Sequence, residues 1–211
     1  MVKVAVATGD ITTADADAIV VNLFEGVTSP GGATGAVDRA LDGGISAVIA
    51  DREITGKQGE IAMLHTLGKL PAKRVLVVGL GKSGKLDAQV VRDVSAVVAR
   101  HLRRVGAKRA ATIAHGAGIG GLDATASGQA IAEGTLLGLY AFKRYQSKKD
   151  DEPDHEVEEL TIIEHDAQRV APLQAGVDKG RLLADCVIFA RDLVNEPANV
   201  VNPARMAEAA G

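Results

Sequence analysis

The chain has 211 residues, of which 46% are hydrophobic, 24% charged and only 2% aromatic, with a formal net charge of -3. These are globular values for one sizeable domain plus an appendage, and with no Trp the core must be built from Val, Ala, Leu and Ile. The charge gives no electrostatic case for nucleic acid or an anionic membrane, and no segment approaches the roughly 18 uninterrupted apolar residues of a membrane span.

In chain order, residues 2–7 and 18–21 read as strands, separated by the turn material Gly9-Asp10-Ile11-Thr12. A Gly/Pro-rich loop over 29–35 opens a helix at 36–41, and a second short helix follows the Gly43-Gly44 break at 46–52. Residues 61–67 and 74–80 are expected as strands, the second a near-continuous apolar run suited to a buried central position. Residues 87–105 form an amphipathic helix, with Arg100, Arg103 and Arg104 near its C-terminal end, where the helix dipole favours cations. Residues 110–114 read as a strand, 125–145 as a helix and 159–164 as a short strand. Between them, 143–159 is a solvated loop whose charge switches from basic to acidic. From Gln168 one long helix runs on as an interdomain linker. Alternating strands and helices argue for layered α/β architecture.

Two glycine runs invite a nucleotide reading. Gly79-Leu80-Gly81-Lys82-Ser83-Gly84-Lys85 follows an apolar strand and fits both G-x-G-x-x-G and part of a triphosphate loop. Leu86 stands where a hydroxyl should ligand Mg²⁺, and the stretch 99–104 offers no acid for a ribose, so both readings fail there. Gly116-Ala117-Gly118-Ile119-Gly120-Gly121 matches G-x-G-x-x-G as well, and in a chain with 24 glycines chance matches are expected. The five histidines, His65, His101, His115, His155 and His165, have no metal-ligand spacing and read as ordinary polar residues. The lone cysteine, Cys186, lies on the apolar-rich late helix and reads as a small core hydrophobe. With no disulfide partner and no long apolar region at the start, a cytoplasmic protein is expected.

Gly9-Asp10-Ile11-Thr12, Asp17 to Asn22 and Pro30-Gly31-Gly32-Ala33-Thr34-Gly35 together resemble the opening of an ADP-ribose-binding macro domain. The resemblance implies that Asp10 reads the adenine, that Gly31, Gly32 and Gly35 wrap the phosphates with backbone N–H groups, and that Gly118 and Gly120 form a second clamp. The chain departs from that pattern in one place. Asn22-Leu23-Phe24-Glu25 puts an acid where the pattern has a second amide, which argues against ADP-ribose hydrolysis.

The closing run, Ala190-Arg191-Asp192-Leu193-Val194-Asn195-Glu196-Pro197-Ala198-Asn199, reads as a helix end stopped by Pro197. Asn202-Pro203 then looks like an N-cap and a proline-started helix. This run resembles the junction segment of the cytosolic leucyl aminopeptidases. So do Val75-Leu76-Val77-Val78-Gly79-Leu80-Gly81-Lys82, Gly56-Lys57-Gln58-Gly59-Glu60, and Glu133-Gly134-Thr135-Leu136-Leu137-Gly138-Leu139-Tyr140 with Phe142 and Arg144-Tyr145.

The resemblance implies a three-layer, macro-like α/β domain with a mixed central sheet over 1–166, a linker helix over 167–195, and the start of a missing C-terminal catalytic domain over 196–211. It implies a non-catalytic domain serving assembly, substrate access or regulation. The parent enzyme would release N-terminal amino acids with two Zn²⁺ or Mn²⁺ ions in the absent domain and assemble as a homo-hexamer. Motifs resembling FDSGG and NTDAEGR, which hold those ions in the family, do not occur here, so no catalytic or metal-binding residue is expected in this chain. The rival expectation is a free-standing ADP-ribose or nucleotide-binding module.

Overall fold

The computed structural model describes residues 2–117, 120–146 and 155–210. Its six-stranded sheet has the order β1-β6-β5-β2-β4-β3, with β1 Lys3–Thr8, β2 Ala18–Phe24, β3 Ile61–His65, β4 Arg74–Gly81, β5 Arg109–Ile113 and β6 Glu159–Glu164. All neighbours pair in parallel except β3, which runs antiparallel to β4. Parallel neighbours require crossover connections. These are supplied by α1 Gly32–Ala40, α2 Gly44–Ala50, α3 Ala88–Arg104 and α4 Ala124–Leu139; α5 Ala167–Asn195 and α6 Pro203–Ala210 close the chain.

Strand side chains alternate between faces, and the two apolar cores follow that alternation. Ala18, Val20, Leu76 and Val78 belong to one core, under α3, α4 and the first half of α5. Ile19, Val21, Val75 and Val77 belong to the other, under α1 and α2 with Val37 and Ile45. Helices therefore cover both faces of a mixed sheet, giving three layers, and β4 is buried along nearly its whole length.

Several boundaries differ from the sequence expectation. The first helix begins at Gly32 and not at residue 36, and Gly32 enters it at φ 55°, a left-handed value that a glycine adopts without a Cβ clash. The helix expected over 125–145 stops at Leu139; Tyr140 is extended and its hydroxyl turns to Asp192 at the end of α5. Cys186, expected in the core, is exposed. The buried positions of α5 are Leu173, Gly176, Val177, Gly180 and Ala184, and beyond them Leu182, Leu183, Val187, Phe189 and Val194 remain exposed. Of the solvated loop expected over 143–159, residues 147–154 lie outside the described residues.

The stop and restart near the end form as read. Glu196 is the extended C-cap of α5, and the Asn202 side chain accepts from Arg205 N at 3.1 Å ahead of Pro203.

Candidate functional site

The order of the strands creates a crevice. The chain leaves β2 through α1 and α2 toward β4 and β3, and leaves β5 through α4 toward β6 and β1. The connections after the neighbours β2 and β5 therefore diverge, and in open α/β sheets ligands bind outside the strand C-termini at such a point. A cleft of about 420 Å³ lies there. Its walls are Gly9 and Asp10 after β1, Asn22 and Phe24 at the end of β2, the first turn of α1, Gly116 and Gly120 after β5, and Glu164, His165 and Arg169 at the β6–α5 junction.

One wall is rich in donors. Gly31 caps α1 without a side-chain bond, and the N–H groups of Gly32, Ala33 and Thr34 have no partner among the described residues. Helix starts of this kind favour anions. The opposite end is rich in acceptors. Asp10 accepts from the Thr12 N–H at 2.8 Å and the Thr12 hydroxyl at 2.7 Å, and these bonds hold its carboxyl below the usual carboxylate range. Glu164 is buried and accepts from Asp166 N at 2.9 Å. Arg169 sits within 3.4 Å of Asp166.

Asp10, Gly31, Gly32 and Gly120 thus meet around one cleft, although they come from three separate loops. Gly35 does not line it; a Cβ there would stand 2.6 Å from the Pro30 carbonyl, so its place is in the packing of the first turn. Gly118 lies outside the described residues. Glu25, the acid in the place of the pattern's second amide, is exposed and outside the cleft wall. The tempting run at 79–85 serves the sheet: Gly79 exchanges hydrogen bonds with Gly59 and Glu60, and Gly81 N donates to Gly56 O at 2.8 Å. A Cβ on Gly79 would fall 1.9 Å from the Lys57 carbonyl, which explains the glycine without any nucleotide.

Four contributors were not singled out from sequence. Glu164, His165 and Arg169 carry no local motif, and the acid-His run offers no spacing to read. His115 is 1% exposed, behind the cleft floor. Burial drives its ring down to a pKa of about 4, and its Nδ1 lies 3.1 Å from Asn22 Nδ2. Among the described residues no group of three or more His, Cys, Asp and Glu side chains could hold a metal ion. No helix among them is long and apolar enough to cross a membrane.

The three-layer α/β fold is shared with solved macrodomains. A Trypanosoma brucei macrodomain solved in complex with ADP superposes with a TM-score of 0.64, at 16% identity over 83% of this chain and 69% of its own. A tomato leucine aminopeptidase mutant matches with a TM-score of 0.78, at 23% identity over 99% of this chain and 41% of its own. Residues 20–149 match the family described as "Cytosol aminopeptidase family, N-terminal domain", and the chain belongs to that family.

Among curated relatives, the probable cytosol aminopeptidase of Alkaliphilus metalliredigens is 38% identical over 92% of this chain and 39% of its own length. That of Alkaliphilus oremlandii is 35% identical over 99% of this chain and 41% of its own. The chain therefore spans about two fifths of the curated relatives it matches.

Proposed function

We propose that this chain is the non-catalytic N-terminal domain of a dinuclear metallo-aminopeptidase, with the domain over 1–166, the linker helix over 167–195 and the entry to the catalytic domain over 196–211. The observation that carries this reading is the asymmetry of the match, nearly the whole of this chain against two fifths of its relatives. The second half of α5 supports it: Leu182, Phe189 and Val194 are exposed at 65%, 52% and 84%, a surface that a further part of the polypeptide would cover. In the whole protein the domain serves assembly, substrate access or regulation. The downstream part supplies the ligands for two Zn²⁺ or Mn²⁺ ions, which act there as Lewis acids and hold the attacking water. The parent is proposed to be a cytoplasmic homo-hexamer, whereas this chain alone is a monomer or weak dimer.

The test is to compare this chain with the same chain joined to its downstream sequence. Release of a chromophore from a leucine derivative in Mn²⁺ is expected only from the joined protein. Release by the chain alone, or a stable hexamer of the chain alone in sedimentation, would overturn the proposal.

A second reading is favoured by the cleft itself, whose donor wall and acceptor end suit the phosphates and the amine-bearing base of a nucleotide or ADP-ribose. In this reading Asp10 and the Gly31, Gly32 and Gly120 backbone contact the ligand. Calorimetric titration with ADP-ribose tests it: binding that is lost in Asp10→Ala supports the reading, and no binding by the unaltered chain removes it.

A further inference from the structure

A polar chain crosses the core behind the cleft. Asn22 Nδ2 faces His115 Nδ1 at 3.1 Å, and His115 Nε2 faces Thr112 Oγ1 at 3.1 Å. The His115 carbonyl accepts from Ser127 Oγ at 2.8 Å, and the Asn22 carbonyl accepts from Thr34 Oγ1 at 2.8 Å. Four elements are thereby joined: α4 and β5 on one side of the cleft, β2 and α1 on the other. Such a network in an apolar core is costly unless every member is satisfied. Valines and leucines would fill the same volume without that requirement.

The proton positions follow from the partners. With the Asn22 amide nitrogen turned toward the ring, that nitrogen can only donate, so His115 Nδ1 accepts and the single ring proton of the neutral imidazole sits on Nε2, pointing at Thr112 Oγ1. The Thr112 hydroxyl is left to donate toward the Ile113 carbonyl, at a long 3.4 Å. Protonating the ring would set a second N–H against the Asn22 amide, and no charged side chain lines the small cavity beside the ring to offset the charge. In this arrangement the Asn22 carboxamide turns its nitrogen to His115 and leaves its Oδ1 uncommitted on a residue that lines the cleft. The flipped amide would require the ring proton on Nδ1 and the Thr112 hydroxyl donating to Nε2.

We propose that Asn22 is the recognition group on the cleft floor and that His115 is its positioning residue. With the amide nitrogen engaged by His115, Oδ1 is the free acceptor, so it selects ligands that place a hydroxyl or amino donor over the end of β2. This rests on the reading of the cleft as a ligand site, and goes beyond it by naming the group that discriminates and the buried residue that sets its orientation.

The experiment has two arms, both on the full chain. In the first, NMR follows the Asn22 side-chain amide protons without ligand. One of them is expected to be shifted and slow to exchange in the unaltered chain, and to become ordinary in His115→Phe and stay protected in His115→Gln, whose side-chain oxygen can still accept. In the second, ADP-ribose is titrated into each variant. Asn22→Ala and His115→Phe are expected to weaken binding by about tenfold or more, the loss of one well-made bond, with His115→Gln close to the unaltered chain. A purely structural histidine would lower the melting temperature and leave the affinity of the folded fraction alone.

Should His115→Phe fail to fold, Asn22→Asp gives the same answer. Its carboxylate facing Nδ1 must raise the His115 pKa, and an unmoved His115 titration overturns the contact. Identical Asn22 amide protons in the unaltered chain and His115→Phe, or equal affinities, overturn the positioning role. No binding of ADP-ribose by the unaltered chain instead overturns the ligand reading and Asn22 as its recognition group, while the amide protons still report on His115.

Discussion

The Tyr140 hydroxyl donates to Asp192 Oδ1 at 2.8 Å and accepts from Asn195 Nδ2 at 3.0 Å. It ties the first residue after α4 to the last turn of α5. Glu196, one residue further, takes both the Arg144 guanidinium and the Tyr145 hydroxyl, and the Arg191 guanidinium lies 5.5 Å from the Tyr140 ring centre. Desolvation and the bond to Asp192 raise the Tyr140 pKa, so the phenol stays protonated as the donor. The two aromatic and acidic patterns of the sequence thus form one clamp, which sets the direction in which the chain leaves α5 at Pro197. Tyr140→Phe is expected to open that end without touching the core. Limited proteolysis near 196–202 should quicken while the melting temperature holds. Unchanged cleavage would show that the clamp carries no constraint.

A second contact joins α3 to α4. Arg92 Nε meets Glu133 Oε2 at 2.5 Å, with the Glu133 side chain 8% exposed, and Gln129 Nε2 donates to the other oxygen at 2.7 Å. Removing one partner of a covered pair leaves the other without compensation. Glu133→Ala is therefore expected to cost about 3 kcal/mol in urea unfolding. Glu133→Gln, which keeps an acceptor for Arg92, should cost clearly less.

Much of the fold follows from local pattern. β6 falls where the alternating run over Glu159–Glu164 puts it, and the proline and Asn-Pro signals place the break between α5 and α6. The misses share a cause. The helical pattern continues past Leu139, but Tyr140 and Arg144 have partners 52 residues away at the end of α5 and its cap, and no local signal announces them. Cys186 sits in a helical apolar stripe that looks the same whether its cover is in this chain or outside it. In the cleft, Asp10 and the glycines of the α1 start carry local turn chemistry and could be picked out. Glu164, His165 and Arg169 reach it only because β6 lies between β1 and β5, a fact of strand order. His115 gave no sign at all, since its partner Asn22 is 93 residues away.

The α3, α4 and α5 layer packs at backbone distance through small residues. A Cβ on Gly134 would stand 2.1 Å from the Arg92 carbonyl, and one on Gly176 would stand 2.1 Å from the Thr125 carbonyl. Both obstacles are helix backbone, which cannot yield as a side chain tip can. Gly134→Ala and Gly176→Ala, normally favourable for a helix by propensity, are each expected to destabilise the fold by about 2–3 kcal/mol through overpacking. Chemical denaturation would measure it, and a variant more stable than the unaltered chain would contradict the packing described for that crossing.

Acid should reveal the buried histidine. With a pKa of about 4 in the fold against the ordinary 6.5, His115 binds a proton in the unfolded chain before it does so in the folded one. Between those two values the unfolded state holds more protons, so stability falls as the pH drops from 6.5 toward 4 and levels off below. The separation corresponds to about 3 kcal/mol, all of it lost by the time both states are protonated. Carboxylates such as Asp10, held low by Thr12, lose their own contribution only as the pH falls through their depressed values. The two effects are separated by subtraction. The difference in unfolding free energy between the unaltered chain and His115→Gln is expected to favour the unaltered chain most at pH 7 and to shrink by about that amount on the way to pH 4. A difference that stays constant over this range would mean that the ring titrates alike in both states, and that the path from Thr112 to Asn22 is open to water.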